Sequence, residues 1–290
     1  MQGCESVTQI SHQAGESRDH TLDQFVEVRG ARVRFAVSGA GVRDLVLLHG
    51  HHANHTWWHR VAPLLEPCWR ITRLDFSGHG DSDHRDGYDG SLWAEEVRAV
   101  AEAAGVERPV LVGHSMGGRI ALAAAAERPA GISGVITLDT ALRPPGAAFR
   151  FGWHPERVPR VRATKAEALG QFRLAPDQPE PAEEILAAVA QASIRQVDGG
   201  WTWKYDQRGL PGMRREYVEE RLAALPVPVC FIYAERSAIV GADTIAYLQS
   251  IPIAGGVEIV EMPGLHHHLI LEDPVRCAEL IDEHATRLFS

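Results

Sequence analysis

The stretch Val112-Gly113-His114-Ser115-Met116-Gly117-Gly118 constrains this chain more than any other. Its serine stands in a G-x-S-x-G spacing, with the apolar run "RPVLV" before it and the Ala-rich "RIALAAAAER" after it. A serine so placed sits on a sharp turn from strand to helix, where the backbone is strained and a neighbouring Cβ clashes. The turn exposes the hydroxyl, and the helix N-terminus behind it favours developing negative charge. A strand, a reactive turn and a helix in that order imply a chain assembled from βα units.

The same rhythm runs through most of the sequence. "QFVEVRGARVRFAVSG" alternates apolar and polar residues around Arg29-Gly30 and reads as a hairpin. "DLVLLHG", "WRITRL", "ISGVITLDT", "VPVCFIYAE" and "GVEIVEM" read as short buried strands. Residues 91–104 have helical spacing, with Ser91 as the expected N-cap and Gly105 as the stop. Continuous apolar strands alternating with helices predict a parallel sheet covered on both faces. Between Leu142 and Leu225 Pro and Arg become frequent, no strands are expected, and "PAEEILAAVAQASIRQV" reads as helix. The expected organisation is a polar, disordered tail over 1–22, a first core segment over 23–141, a helical cap over 142–225 and a second core segment over 226–290.

Composition narrows the partners. A net charge of −9 disfavours a nucleic-acid binder, which draws its affinity from Lys and Arg on phosphates. The first residues lack the apolar core of a secretory signal, and no run of about 18 apolar residues offers a membrane span. A cytoplasmic protein is expected, monomeric or homodimeric, acting on a small molecule. The four cysteines are scattered and announce no disulfide framework; Cys230 and Cys277 read as small buried hydrophobes.

A reactive serine needs oxyanion donors, a base and an acid. The N–H of Met116, directly after the serine, is one expected donor. The N–H of His51, in "LLHGHHANHTWWH", is the other. The five histidines between 49 and 59 invite a metal reading. That loop holds no Cys and no well-placed carboxylate, so neither a metal nor a cofactor is expected. The base is sought among His266, His267 and His268 in "MPGLHHHLILEDP". For the acid the sequence offers Asp139, which ends an apolar strand, with Glu235 and Asp243 further on.

The pair His49-Gly50, the loop "DFSGHGDSD", the turn "GHSMGG" and the closing "PGLHHHLILEDP" together resemble the α/β-hydrolase fold family, from Phe25 onward. The resemblance implies an α/β architecture: a mostly parallel eight-stranded sheet flanked by helices, with an inserted helical cap. It implies a Ser–acid–His order along the chain. The family histidine commonly lies five residues before an acidic residue and seven before a Pro, which from Glu272 and Pro274 gives His267, with His266 as the fallback. The commoner acid position, after the strand that follows the cap, holds Ser237 here. Certain dehalogenases and lactonases of this fold take the acid from the strand after the nucleophile helix, which implies Asp139. The cap is similar to a group that includes 2-(acetamidomethylene)succinate hydrolase.

Around the triad Ser115, Asp139 and His267, the pocket is expected to draw on Trp57, Trp201 and Trp203. Arg143 is the expected clamp for a carboxylate, with Arg150, Arg173 and Arg195 as further candidates. The expected activity is cofactor-free hydrolysis of an ester, lactone, amide or related acyl bond in a small metabolite. The alternative is a lyase, cyclase or cofactor-free oxygenase using His267 and Asp139 as a base.

Overall fold

The computed structural model describes residues 22–127, 129–143, 157–208 and 216–289. The expected polar tail and Arg150 lie outside them. The strands are β1 (Gln24–Val28), β2 (Ala31–Ser38), β3 (Asp44–Leu48), β4 (Arg70–Leu74), β5 (Val110–His114), β6 (Gly134–Leu138), β7 (Ile194–Val197), β8 (Gly200–Trp203), β9 (Val229–Ala234) and β10 (Val257–Met262). Eight of them form one sheet in the order β1-β2-β4-β3-β5-β6-β9-β10. The pairs β1/β2 and β2/β4 are antiparallel and every other pair is parallel. This is the α/β-hydrolase architecture that the sequence implied. The β1/β2 turn is built by Arg29 and Gly30 at φ 46° and 78°, the left-handed pair of a two-residue hairpin.

The sheet is apolar on both faces. Along β3, Leu45 and Leu47 join one core cluster, and Val46 and Leu48 join the other. That is the two-residue alternation of a strand buried from both sides. Helices α1 (Gly90–Ala103), α2 (Met116–Glu127), α6 (Ala242–Ser250) and α7 (Pro274–Leu288) belong to this core, whereas α3 (Lys165–Leu169), α4 (Glu183–Ala192) and α5 (Glu216–Leu222) fall between β6 and β9. The cap of α1 is Asp89 rather than Ser91: the Leu92 N–H donates to Asp89 Oδ1 at 2.8 Å, and the Ser91 hydroxyl donates to the same oxygen at 2.6 Å.

The insertion between β6 and β9 departs from the purely helical expectation. Helix α4 stops at Ala192, where the Ser193 hydroxyl bonds back to the Val189 carbonyl at 2.7 Å. The chain then forms the β7/β8 hairpin, paired from Ile194↔Trp203 to Val197↔Gly200. Its turn is Asp198-Gly199, a dipeptide suited to hairpins, with Gly199 at φ 83°. Helical spacing upstream had masked that signal. Cys230 and Cys277 are buried thiols as expected, while Cys68 is disulfide-bonded, a cross-link its spacing does not announce. No helix among the described residues is long and apolar enough to cross a membrane.

The loop after β4 is organised by one buried carboxylate. Asp75 Oδ1 accepts from the His55 N–H at 2.7 Å and pairs with His55 Nδ1 at 2.9 Å, while Oδ2 accepts from the Asp81 N–H at 2.8 Å. Burial pushes this carboxyl up, but the His55 ring and the N–H donors outweigh it and hold it at about 2. Because its folded value lies below its unfolded value near 3.8, this stabilisation is present above pH 4 and lost as pH falls through 2. Urea unfolding of the wild type should therefore lose on the order of 2 kcal/mol more than Asp75→Asn between pH 4.5 and pH 2. Parallel pH profiles for the two proteins would remove Asp75 from this role.

Candidate active site

At the C-terminal end of β5 the chain turns through Ser115, whose φ of 55° places a non-glycine residue in the left-handed region. The glycines on either side are sterically required. A Cβ on Gly113 would lie 2.3 Å from the Gly117 carbonyl carbon, and one on Gly117 would lie 2.3 Å from the Leu48 oxygen. The Ser115 N–H donates to the Leu138 carbonyl at 2.9 Å, and the Thr140 hydroxyl donates to the Ser115 carbonyl at 3.1 Å. The serine turn is thus tied to the end of β6, where the next residue after Leu138 is Asp139.

Asp139 is fully buried and itself left-handed at φ 48°. Its Oδ1 accepts from the Ala234 N–H at 3.0 Å, and its Oδ2 accepts from the Ser237 hydroxyl at 2.6 Å and pairs with His267 Nδ1 at 2.7 Å. An ionised carboxylate only accepts, so the proton shared by the pair sits on His267 Nδ1, and Nε2 is the nitrogen that the neutral ring leaves bare. Strand register brings these groups together: His114 pairs with Leu138 across β5/β6, and Leu138 with Ile232 across β6/β9. The other candidates lie elsewhere. Glu235 accepts from the exposed Gly264 N–H at 2.6 Å, and His266 is bound to Glu272 at 3.0 Å. Asp243 sits in the first turn of α6.

Ser237, the residue found in place of the commoner acid, is a donor to Asp139. Its oxygen also accepts from the N–H groups of Ile239 at 3.1 Å and Val240 at 3.0 Å. A position that reads as a deletion in sequence is a hydrogen-bond anchor in the fold.

Three further histidines frame the site. His114 Nε2 donates to the His267 carbonyl at 2.8 Å, and its ring lies 4.8 Å from that of His267. Burial and the neighbouring His267 push His114 down to about 3, and the same causes push His268 down to about 2. His49 donates from Nδ1 to the Gly50 carbonyl at 2.8 Å and accepts the Phe76 N–H on Nε2 at 3.1 Å. Burial pushes it down to about 4, so it stays neutral and pins the loop that carries His51. Met116, the other expected oxyanion donor, is the first residue of α2, where N–H groups have no partner within the helix.

Ser115 and His267 open onto a cavity of about 710 Å³ whose lining includes Gly50, His51, Trp57 and Trp203. Trp201 does not line it. Two residues before Trp203 on β8, it lies under the Lys165 ammonium at 5.5 Å and bridges to Arg162. Arg143 is also absent from the lining, as is Arg195. The arginines present are Arg157, Arg160, Arg162 and Arg173, of which only Arg173 stood out in the sequence. The closely spaced "ERVPRVR" run was the signal available for the other three. Tyr205 was missed as well; it stacks on His52 at 4.0 Å and on Trp203 at 6.0 Å.

The insertion is fastened to the core around this cavity. The Asp206 N–H donates to the Gly78 carbonyl at 2.8 Å, while its carboxylate accepts from Tyr88 at 2.8 Å and Arg208 at 2.7 Å. On the opposite side Gln178 donates to Glu272 at 2.8 Å and accepts from the His268 N–H at 2.9 Å.

A strained serine, a carboxylate-oriented imidazole and a roofed cavity thus lie together at the C-terminal ends of the central strands. A family model described as "Alpha/beta hydrolase family" matches residues 45–280. The chain belongs to that family. It is 31% identical to the "Serine hydrolase-like protein" of Danio rerio over 184 residues, 57% of this chain and 56% of that protein. The chain spans about half or less of the length of the first curated relatives it matches. Among solved structures, a "Thioesterase Domain From Curacin Biosynthetic Pathway" superposes with a TM-score of 0.74 at 22% identity, covering 89% of this chain and 98% of that one. "E-2-(Acetamidomethylene)succinate Hydrolase" gives 0.71 at 19% identity, covering 90% and 97%. Both likenesses establish the fold.

Replacing Asp206 by Ala leaves the Tyr88 hydroxyl and the Arg208 guanidinium without their shared acceptor. This should lower unfolding stability by about 2 kcal/mol. Amide exchange should accelerate across residues 194–206 while β3, β5 and β6 stay protected. Uniform acceleration throughout the chain would contradict a local fastening.

Proposed function

We propose that the protein is a serine hydrolase that cleaves an acyl bond of a small anionic substrate through an acyl-enzyme. The observation that carries this reading is the buried His267–Asp139 pair beside the strained Ser115 turn. Ser115 Oγ attacks the acyl carbon while His267 Nε2 accepts its proton. Asp139 holds the ring in the required tautomer and stabilises the imidazolium. The N–H groups of Met116 and His51 receive the oxyanion, each contributing about 3 kcal/mol. The imidazolium then returns the proton to the departing oxygen, nitrogen or sulfur, and water repeats the sequence to free the acid. Nucleophile, base and oxyanion donors all come from the chain, so these steps call on no cofactor. The relative named as serine hydrolase-like is consistent with this choice of nucleophile.

The anionic substrate class rests on the arginines at the cavity. Among the described residues, none of Arg157, Arg160, Arg162 or Arg173 forms an ion pair with a carboxylate, although the chain carries a net charge of −9. Asp206, which also faces the cavity, is already bound to Arg208. An acidic protein that keeps four uncompensated guanidiniums around one opening favours a carboxylate or phosphate there. The Trp203 and Tyr205 rings supply the apolar wall for the rest of the substrate.

Two kinetic comparisons test the reading. Asp139→Asn should lower kcat on a p-nitrophenyl ester by roughly 10³- to 10⁴-fold, Ser237→Ala by about tenfold, and Glu235→Gln by less than twofold. A severe loss in Glu235→Gln with an active Asp139→Asn would reverse the assignment of the acid. Arg160→Ala should raise KM about tenfold for a monoester of a dicarboxylic acid and leave KM for the neutral ester unchanged. Equal effects on both esters would remove the anionic preference.

A further inference from the structure

We propose that His114, His267 and His268 form a binding site for a divalent transition-metal cation of the zinc type, and that occupying it silences the serine. The ligand nitrogens of these three residues lie within 4.8 Å of one another. All three side chains are buried, at 1%, 4% and 3% exposure, yet all three face the cavity that admits substrate. Three imidazoles with a fourth position open to solvent or ligand match the coordination of accessible zinc sites.

The orientation of the rings carries the argument further. A histidine that binds a metal donates its outer N–H to a carboxylate or a carbonyl, which aims the inner nitrogen at the ion. His267 does this through Nδ1 to Asp139 at 2.7 Å, and His114 through Nε2 to the His267 carbonyl at 2.8 Å. The inner nitrogen of His114, Nδ1, is buried with no hydrogen-bond partner. Neither ring nitrogen of His268 has one either, the Ala175 backbone lying near but outside bonding geometry. Buried unpaired nitrogens are costly, and a cation held by His267 also engages His114 Nδ1 and one of the two His268 ring nitrogens. Zinc–nitrogen bonds of about 2.1 Å set tetrahedral ligands about 3.4 Å apart, so ring movements of roughly 1 Å close the cluster.

A second cluster among the described residues differs in this respect. Cys230, Glu258 and His284 also lie within 4.8 Å, but His284 Nδ1 is already engaged by Glu258 at 3.1 Å and by Arg287 at 2.7 Å. No inward nitrogen is orphaned there.

The ion takes the Nε2 lone pair of His267, which the proposed hydrolysis needs to deprotonate Ser115. Only this silencing rests on the serine-hydrolase reading; the binding does not. The chelator-treated protein is therefore dialysed against Zn²⁺, and bound metal is counted by elemental mass spectrometry. One Zn²⁺ per chain is expected in the micromolar range. His268→Ala and His114→Gln, each shown by circular dichroism to keep the wild-type fold, should bind at least tenfold more weakly. Substituting Co²⁺ should give the intense visible absorption of a tetrahedral site, a readout that needs no variant. Hydrolysis of a p-nitrophenyl ester should fall in step with occupancy and recover with EDTA. No bound zinc, or affinity unchanged in both variants, overturns the site. Stoichiometric binding with undiminished hydrolysis overturns the silencing and leaves His267 outside the reaction.

Discussion

The Asp139 carboxylate is the interaction on which the site depends. A charge buried this deeply is tolerated only when its oxygens are fully bonded, and three donors converge on it: the Ala234 N–H and the Ser237 hydroxyl from the end of β9, and the His267 ring. Parallel pairing of β5, β6 and β9 sets their positions, because it aligns the ends of the three strands. The sheet therefore determines where the acid stands, and the left-handed backbone at Asp139 turns the side chain back toward the strand ends. Moving the carboxylate to β6 leaves an opening after β9, and Ser237 fills it with a donor in place of a second acid.

A second constraint comes from the histidines. His49, His114 and His268 are all pushed to low values by burial, and they stand as neutral rings around a catalytic-type pair. Two of them act on the backbone: His49 holds the Gly50 carbonyl and His114 holds the His267 carbonyl. The stacked series His51, His52, Tyr205 and Trp203 extends this packing into the insertion. Core and insertion thus share one wall of the cavity, and Asp206 ties them on its rim.

Much of this was legible in the sequence where a local rule fixed the outcome. The Ser115 turn could be read because its glycines leave no alternative, and the Arg29-Gly30 hairpin because its two residues suit the turn. The position of Asp139 could be read because it ends an apolar strand at the place where the resemblance to certain dehalogenases and lactonases of this fold implies the acid. What escaped were arrangements made by tertiary contact. Helical spacing through Val197 hid the β7/β8 hairpin, since periodicity does not register the Asp198-Gly199 turn. Trp201 and Trp203 alternate correctly, but only Trp203 reaches the cavity, because the strand carries its partner away toward Lys165. The role of Ser237 depends on a residue 98 positions earlier, which no local pattern reveals. Arg157, Arg160 and Arg162 lie in an irregular stretch that runs beside the hairpin, where Arg162 bridges to Trp201.

The central claim is that this framework activates Ser115 as a nucleophile. Intact-mass spectrometry after a fluorophosphonate probe addresses it most directly, on the wild type and on Ser115→Ala. The account predicts a single adduct on the wild type, mapped to Ser115 by peptide analysis, and none on the folded variant. A folded wild type that stays unlabelled by a probe small enough for the 710 Å³ cavity, or a Ser115→Ala variant labelled as fast as the wild type, would contradict it.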